Sequence, residues 1–147
     1  YANNHRGFCV EYEITDFHKK FMYPVSYSPY RVTGNAFIGS LILGILDMIK
    51  AGLTGAEVDK VARDIIKNAG YGQYFGHGYG HSVGLEIHEK PNCGRYSEDI
   101  MVENCVASAE PGIYLPGKFG VRIEDVVIFK EDGCENITHS PKNLIIV

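Results

Sequence analysis

Apolar and polar positions alternate in three different rhythms along the chain, and each rhythm predicts a different kind of element. From Asn35 to Lys50 the apolar residues Phe37, Ile38, Leu41, Ile42, Ile45, Leu46 and Ile49 recur at steps of three and four. That spacing lines one face of a helix. Gly52 follows, where a left-handed residue would cap its end. A second helix is announced by Thr54 and Glu57, the three-residue spacing of a capping box. It runs through Val58, Val61, Ala62, Ile65 and Ile66 and is expected to stop at Gly70. Beyond that point the rhythm shortens to strand-like runs. Cys105 to Tyr114 and Val121 to Phe129 read as strands, joined by a turn over Pro116-Gly117-Lys118-Phe119-Gly120. Glu131-Asp132-Gly133 reads as a further turn and Leu144 to Val147 as a last short strand. At the other end, Tyr1 to Arg31 is aromatic-rich and partly alternating, consistent with one or two strands and a turn around Pro24 to Pro29. Two helices followed by an antiparallel meander define an α+β domain. Helices covering one face of a curved sheet leave its other face as a cleft.

Composition narrows the functional classes. The 147 residues are 45% hydrophobic and 22% charged, with a net charge of -4, an ordinary soluble composition for one domain. A weakly acidic chain without Lys/Arg runs offers no surface for nucleic acid or for anionic membranes. The longest apolar stretch, Ala36 to Ile49, is interrupted by Gly39, Gly44 and Asp47 and is too short to span a bilayer. Cys9, Cys93, Cys105 and Cys134 show no CxxC spacing, so free thiols in a reducing, cytoplasmic setting are expected. Asn136-Ile137-Thr138 fits a glycosylation acceptor but is a triplet common by chance.

Three clusters carry candidate chemistry. His77, His81 and His88 lie within twelve residues and are interleaved with glycines. Those glycines exclude a stable helix but allow tight bends that aim several imidazoles into one cavity. Imidazole titrates near neutrality and ligates borderline metals. Glu110 and Glu124 each place a carboxylate inside an otherwise apolar strand, which is costly unless the charge is paired or binds a cation. Arg122, two residues from Glu124, belongs on the same face of an extended strand and is a supporting partner.

The run His77-Gly78-Tyr79-Gly80-His81-Ser82-Val83-Gly84-Leu85-Glu86-Ile87-His88-Glu89 resembles the signature of Xaa-Pro dipeptidases and aminopeptidases. Glu110-Pro111-Gly112-Ile113-Tyr114 and Gly120-Val121-Arg122-Ile123-Glu124-Asp125 resemble two further motifs of that family, and the resemblance covers roughly residues 45 to 147 in order. It implies a partial pita-bread fold, with the chain as the C-terminal portion of the catalytic domain and the N-terminal domain and first strands absent. It further implies two divalent metal ions, Mn²⁺ or Co²⁺ with Zn²⁺ as an alternative. His81, Glu110 and Glu124 would be metal ligands, Glu110 also the proton acceptor, and His77 and His88 would contact substrate, a peptide cleaved before proline. The family's two aspartate ligands have no clear counterpart. An ungapped match puts Glu11 at the second position, whereas matching Glu-Ile-Thr selects Glu13. A homodimer, or pairing with a missing segment, is expected to cover exposed sheet edges. A peptide-binding module without catalysis and a creatinase-like amidinohydrolase remain alternative readings.

Overall fold

The computed structural model describes residues 41–142. The expected elements at Tyr1 to Arg31 and Leu144 to Val147, and the candidate ligands Glu11 and Glu13, lie outside them. Residues 41–46 are helical, and Leu41, Ile42, Ile45 and Leu46 are all buried. The helical pattern stops at Leu46, earlier than the apolar periodicity suggests, in a tight turn closed by Met48 N–H on the Ile45 carbonyl. Gly52 is left-handed, with φ +89°. It shapes the following turn, however, and does not cap this helix.

Helix α1 spans Gly55–Asn68. Its start is the one the sequence announces. Thr54 is the N-cap, its hydroxyl accepts the Glu57 N–H, and the Glu57 carboxylate accepts the Thr54 N–H at 2.7 Å. Gly70, with φ +89°, ends it. Val58, Ala62 and Ile66 form its buried stripe, the three-to-four spacing of a helix facing a core.

A short 3₁₀ turn at Gly72–Tyr74 leads into seven strands: β1 Gly80–Ser82, β2 Glu89–Cys93, β3 Val106–Ala109, β4 Gly112–Leu115, β5 Phe119–Arg122, β6 Asp125–Lys130 and β7 Gly133–Asn136. Five of them form an antiparallel sheet in the order β2-β1-β3-β6-β7, and β4 and β5 pair separately. Helices and sheet share a single core. Ile45, Ile49, Val58, Ile66, Phe75, Tyr79, Met101, Val127 and Phe129 are all nearly inaccessible.

Two strands expected to be continuous are broken. Cys105 to Tyr114 divides into β3 and β4 at Glu110-Pro111, and Val121 to Phe129 divides into β5 and β6 at Ile123-Glu124. The breaks face each other, because Ala109 pairs with Asp125 on one side and Gly112 with Arg122 on the other. Pro111 has no N–H to donate, so the ladder cannot pass through it. The β4–β5 ribbon therefore leaves the main sheet here. The turns at 116–118 and 131–132 fall where the sequence puts them, the first with Gly117 at φ +72°.

Candidate active site

Glu110 and Glu124 occupy the two breaks, not strand interiors. A residue at such a break escapes the strict up-down alternation of a strand; the Glu110 carboxylate turns toward β1, and the Glu124 carboxylate toward Arg122. His81, the middle residue of β1, reaches the same place. Its strand lies against β3 because Gly80 has no side chain: a Cβ there would stand 1.9 Å from the Ser108 carbonyl oxygen.

His81 Nε2 lies 3.3 Å from Glu110 Oε1, with both side chains largely buried. The other ring nitrogen, Nδ1, is 3.1 Å from the Ser82 carbonyl. A carbonyl only accepts, so Nδ1 carries a proton, and when the ring is neutral its Nε2 lone pair points toward a carboxylate. Two acceptors aimed at each other require a proton or a cation between them. The Ser108 hydroxyl accepts the His81 N–H at 3.0 Å and donates to Glu110 Oε1 at 3.1 Å, fixing the carboxylate from behind. On its open side Arg122 lies 3.6 Å from Glu110 and 3.9 Å from Glu124. Burial works against the Arg122 charge, yet Tyr114, Glu110 and Glu124 outweigh it and raise its pKa above the ordinary value.

His88 stands over His81 with ring centroids 4.2 Å apart. Its loop is tied by Glu89, whose carboxylate accepts the Glu86 N–H at 2.8 Å. His77 sits between Phe75 and Tyr114. Its Nδ1 is 2.8 Å from the Gly78 carbonyl and its Nε2 is 2.8 Å from the Tyr114 hydroxyl. The same logic protonates Nδ1, so when the ring is neutral its Nε2 accepts from the Tyr114 hydroxyl. An open cleft of about 470 Å³ begins beside His77 and is lined also by Arg63, Gln73, Arg95 and Tyr96.

His81 and Glu110 thus meet directly, Glu124 joins them only through Arg122, His88 packs on His81, and His77 connects through Tyr114, which also bonds Arg122. Among the described residues no three His, Cys, Asp or Glu side chains converge as a metal cluster. The donor chemistry nevertheless suits a divalent ion, because an imidazole lone pair and a carboxylate oxygen face the same point. Ser108 and Tyr114 escaped assignment from sequence. Ser108 stands two residues before Glu110, the same-face spacing of a strand, while Tyr114 reaches His77 only through the tertiary fold.

Residues 39–131 match the metallopeptidase family M24. The chain belongs to that family. Among curated M24 relatives, it is 47% identical over 100 residues to the Xaa-Pro dipeptidase of Pyrococcus furiosus, covering 68% of this chain and 29% of that protein. It is 50% identical over 99 residues to the uncharacterized peptidase YqhT of Bacillus subtilis, covering 67% and 28%. Among solved structures, the Xaa-Pro dipeptidase from Bacillus anthracis aligns with TM-score 0.71 at 46% identity, over 79% of this chain and 34% of that one. The prolidase from Pyrococcus horikoshii aligns with TM-score 0.70 at 40% identity, over 76% and 32%. The fold is therefore the pita-bread fold of these M24 proteins, in part: the chain spans somewhat under a third of the length of the curated relatives it matches.

Proposed function

We propose that the chain contributes the histidine and glutamate half of a metal-dependent site that hydrolyses the peptide bond preceding proline. The observation that carries this reading is His81 Nε2 facing Glu110 Oε1 at 3.3 Å. Membership of M24 and the Xaa-Pro dipeptidase names of its relatives support the reaction class.

His81, Glu110 and Glu124 would hold divalent ions, with Mn²⁺ or Co²⁺ suited to a carboxylate-rich set and Zn²⁺ as a further option. Outside the described residues, Glu13 is proposed as an additional ligand. Bound ions supply Lewis acidity and a nucleophile at neutral pH. Glu110 is placed to accept the proton of the attacking water, its Oε1 held by Ser108 and its Oε2 facing Arg122. Arg122 lies between Glu110 and Glu124 and balances part of their charge. His77 steadies negative charge developing on the scissile carbonyl oxygen. Because its Nδ1 proton is committed to Gly78, it must take up a second proton before Nε2 can donate. His88, packed against His81, would contact the substrate backbone.

The test combines metal content with turnover. After reconstitution with Mn²⁺ or Co²⁺ of protein carrying both halves of the site, two ions per site and hydrolysis of Xaa-Pro dipeptides are expected. His81→Ala should lose more than the roughly 10- to 100-fold that outer partners of metal ligands cost. Binding of Xaa-Pro peptides with neither ion nor turnover would make the chain a peptide-binding module and end the hydrolase reading.

A further inference from the structure

His77 is held by a device that lies outside the site just described. On α1, Asp59 and Arg63 are one helical turn apart, and both are withdrawn from solvent: their side chains are 2% and 14% exposed. Arg63 Nε and Nη2 donate to the two Asp59 oxygens at 2.7 and 2.8 Å. This fork-to-fork geometry leaves the guanidinium no freedom to rotate. Two of its three remaining N–H groups go to the backbone of the histidine loop, Nη1 to the Phe75 carbonyl at 2.9 Å and Nη2 to the His77 carbonyl at 2.8 Å. Asp59 Oδ1 also accepts the Tyr79 N–H at 3.0 Å. The guanidinium carbon lies 4.3 Å from the centre of the Phe75 ring, and that ring packs edge-on against His77.

Every contact in this set beyond the pair itself falls on residues 75, 77 or 79, so the pair grips the loop immediately before, at and after His77. An ordinary i, i+4 ion pair on a helix surface is solvated and adds only a few tenths of a kcal/mol. This one is buried and spends four donor contacts on a single guanidinium. Its Phe75 and His77 acceptors are carbonyls of a loop with no ladder of its own at that point. A lysine cannot reproduce the arrangement, because an ammonium has no planar fork.

The geometry points to Arg63, fixed by Asp59, as the positioning residue that sets the tautomer and direction of the His77 imidazole. Held this way, the ring keeps Nδ1–H on the Gly78 carbonyl and presents Nε2 to Tyr114 and the cleft. The inference rests on the proposed role of His77 only for its effect on turnover. Its effect on the ring itself can be read without any activity.

The experiment is NMR of the full chain with ¹⁵N-labelled histidine, the His77 signals being assigned by their loss in His77→Gln. In the unmodified chain, His77 should show one tautomer, protonated at Nδ1. A ring averaging both tautomers overturns the proposal with no variant made. In Arg63→Lys, and in the isosteric Asp59→Asn, the His77 signals should move toward the averaged values while circular dichroism still reports a folded chain. The kcat on an Xaa-Pro dipeptide should fall about 10- to 100-fold, the scale expected for a small misplacement of a reacting group, with KM much less affected. A folded Arg63→Lys chain with unmoved His77 signals overturns the proposal, as does a rise in KM alone, which would make Arg63 a substrate contact. If His77→Gln leaves turnover intact, the hydrolytic role of His77 fails, and the tautomer measurement still decides the positioning of the ring.

Discussion

Cys93 shows how strongly the core acts on one side chain. Its sulfur is wholly buried, 3.5 Å from the Met101 sulfur, and burial pushes its pKa from 9.0 up to about 12, with Cys105, Asp59 and Asp99 adding to the rise. Cys134, half-buried with its thiol donating to the Leu46 carbonyl at 3.2 Å, is pushed up to about 11. The thiolate is the reactive form, so neither cysteine should react appreciably with a thiol reagent at pH 8 in the folded chain, while both should react once it is unfolded. Rapid labelling of Cys93 in the native state would contradict this environment. The sign for stability follows from linkage. A folded pKa above the unfolded one favours the native state below pH 9, and this contribution is lost as pH rises toward 12. Denaturation midpoints measured from pH 9 to 11 should fall, and fall less in Cys93→Ala. Asn136 is another residue decided by its surroundings. Its amide donates to the buried Asp125 carboxylate at 2.6 Å and its Oδ1 accepts the Thr138 N–H at 2.9 Å. Lys142 Nζ completes the pairing, 2.9 Å from Asp125 Oδ1. The apparent glycosylation triplet is thus part of a structural clasp.

Among the elements, α1 is the most locally determined. Thr54 and Glu57 satisfy each other's backbone donors, and the Glu57 carboxyl is held below its usual range first by the Thr54 N–H and then by the Thr54 hydroxyl. Thr54→Ala should cost about 1 kcal/mol of stability, the ordinary worth of such a cap, measured by urea denaturation. A change near zero would mean that burial of Val58, Ala62 and Ile66 alone holds this end. The paired strand breaks are the opposite case. β4 and β5 are drawn away from the main sheet by Pro111 and by the register opposite it, and the site exists because of that departure. A continuous β5–β6 strand would keep Arg122 in line with the main sheet.

At the scale of the whole molecule, the described residues leave several large apolar side chains in solvent. Leu85 is fully exposed, and Ile87 and Tyr96 are 75% and 85% exposed. Leu85 and Ile87 belong to the loop that carries His88. Large exposed apolar side chains favour association, so light scattering is expected to show a species heavier than the 16.3 kDa chain. A monodisperse monomer would contradict the expectation. No helix among the described residues is long and apolar enough to cross a membrane.

Much of this organisation is written in local order. The Thr54–Glu57 box, the apolar stripe of α1, the hairpin turns near Gly117 and Gly133 and the ordered motifs around His81, Glu110 and Glu124 are legible because each depends on neighbours a few residues away. The same holds for assigning the chain to its family, since the motifs keep their order and spacing. Other features depend on segments far apart in sequence, and only tertiary packing decides them. The apolar runs 105–114 and 121–129 carry no sign of being broken in register, because that is a property of two strands facing each other. Nothing local ties Tyr114 to His77, 37 residues away, or marks Asp59 and Arg63 as more than a solvated helix pair. Their roles arise where a buried guanidinium meets carbonyls 12 and 14 residues further along the chain, and where an imidazole lone pair and a carboxylate from different strands are brought to face one point.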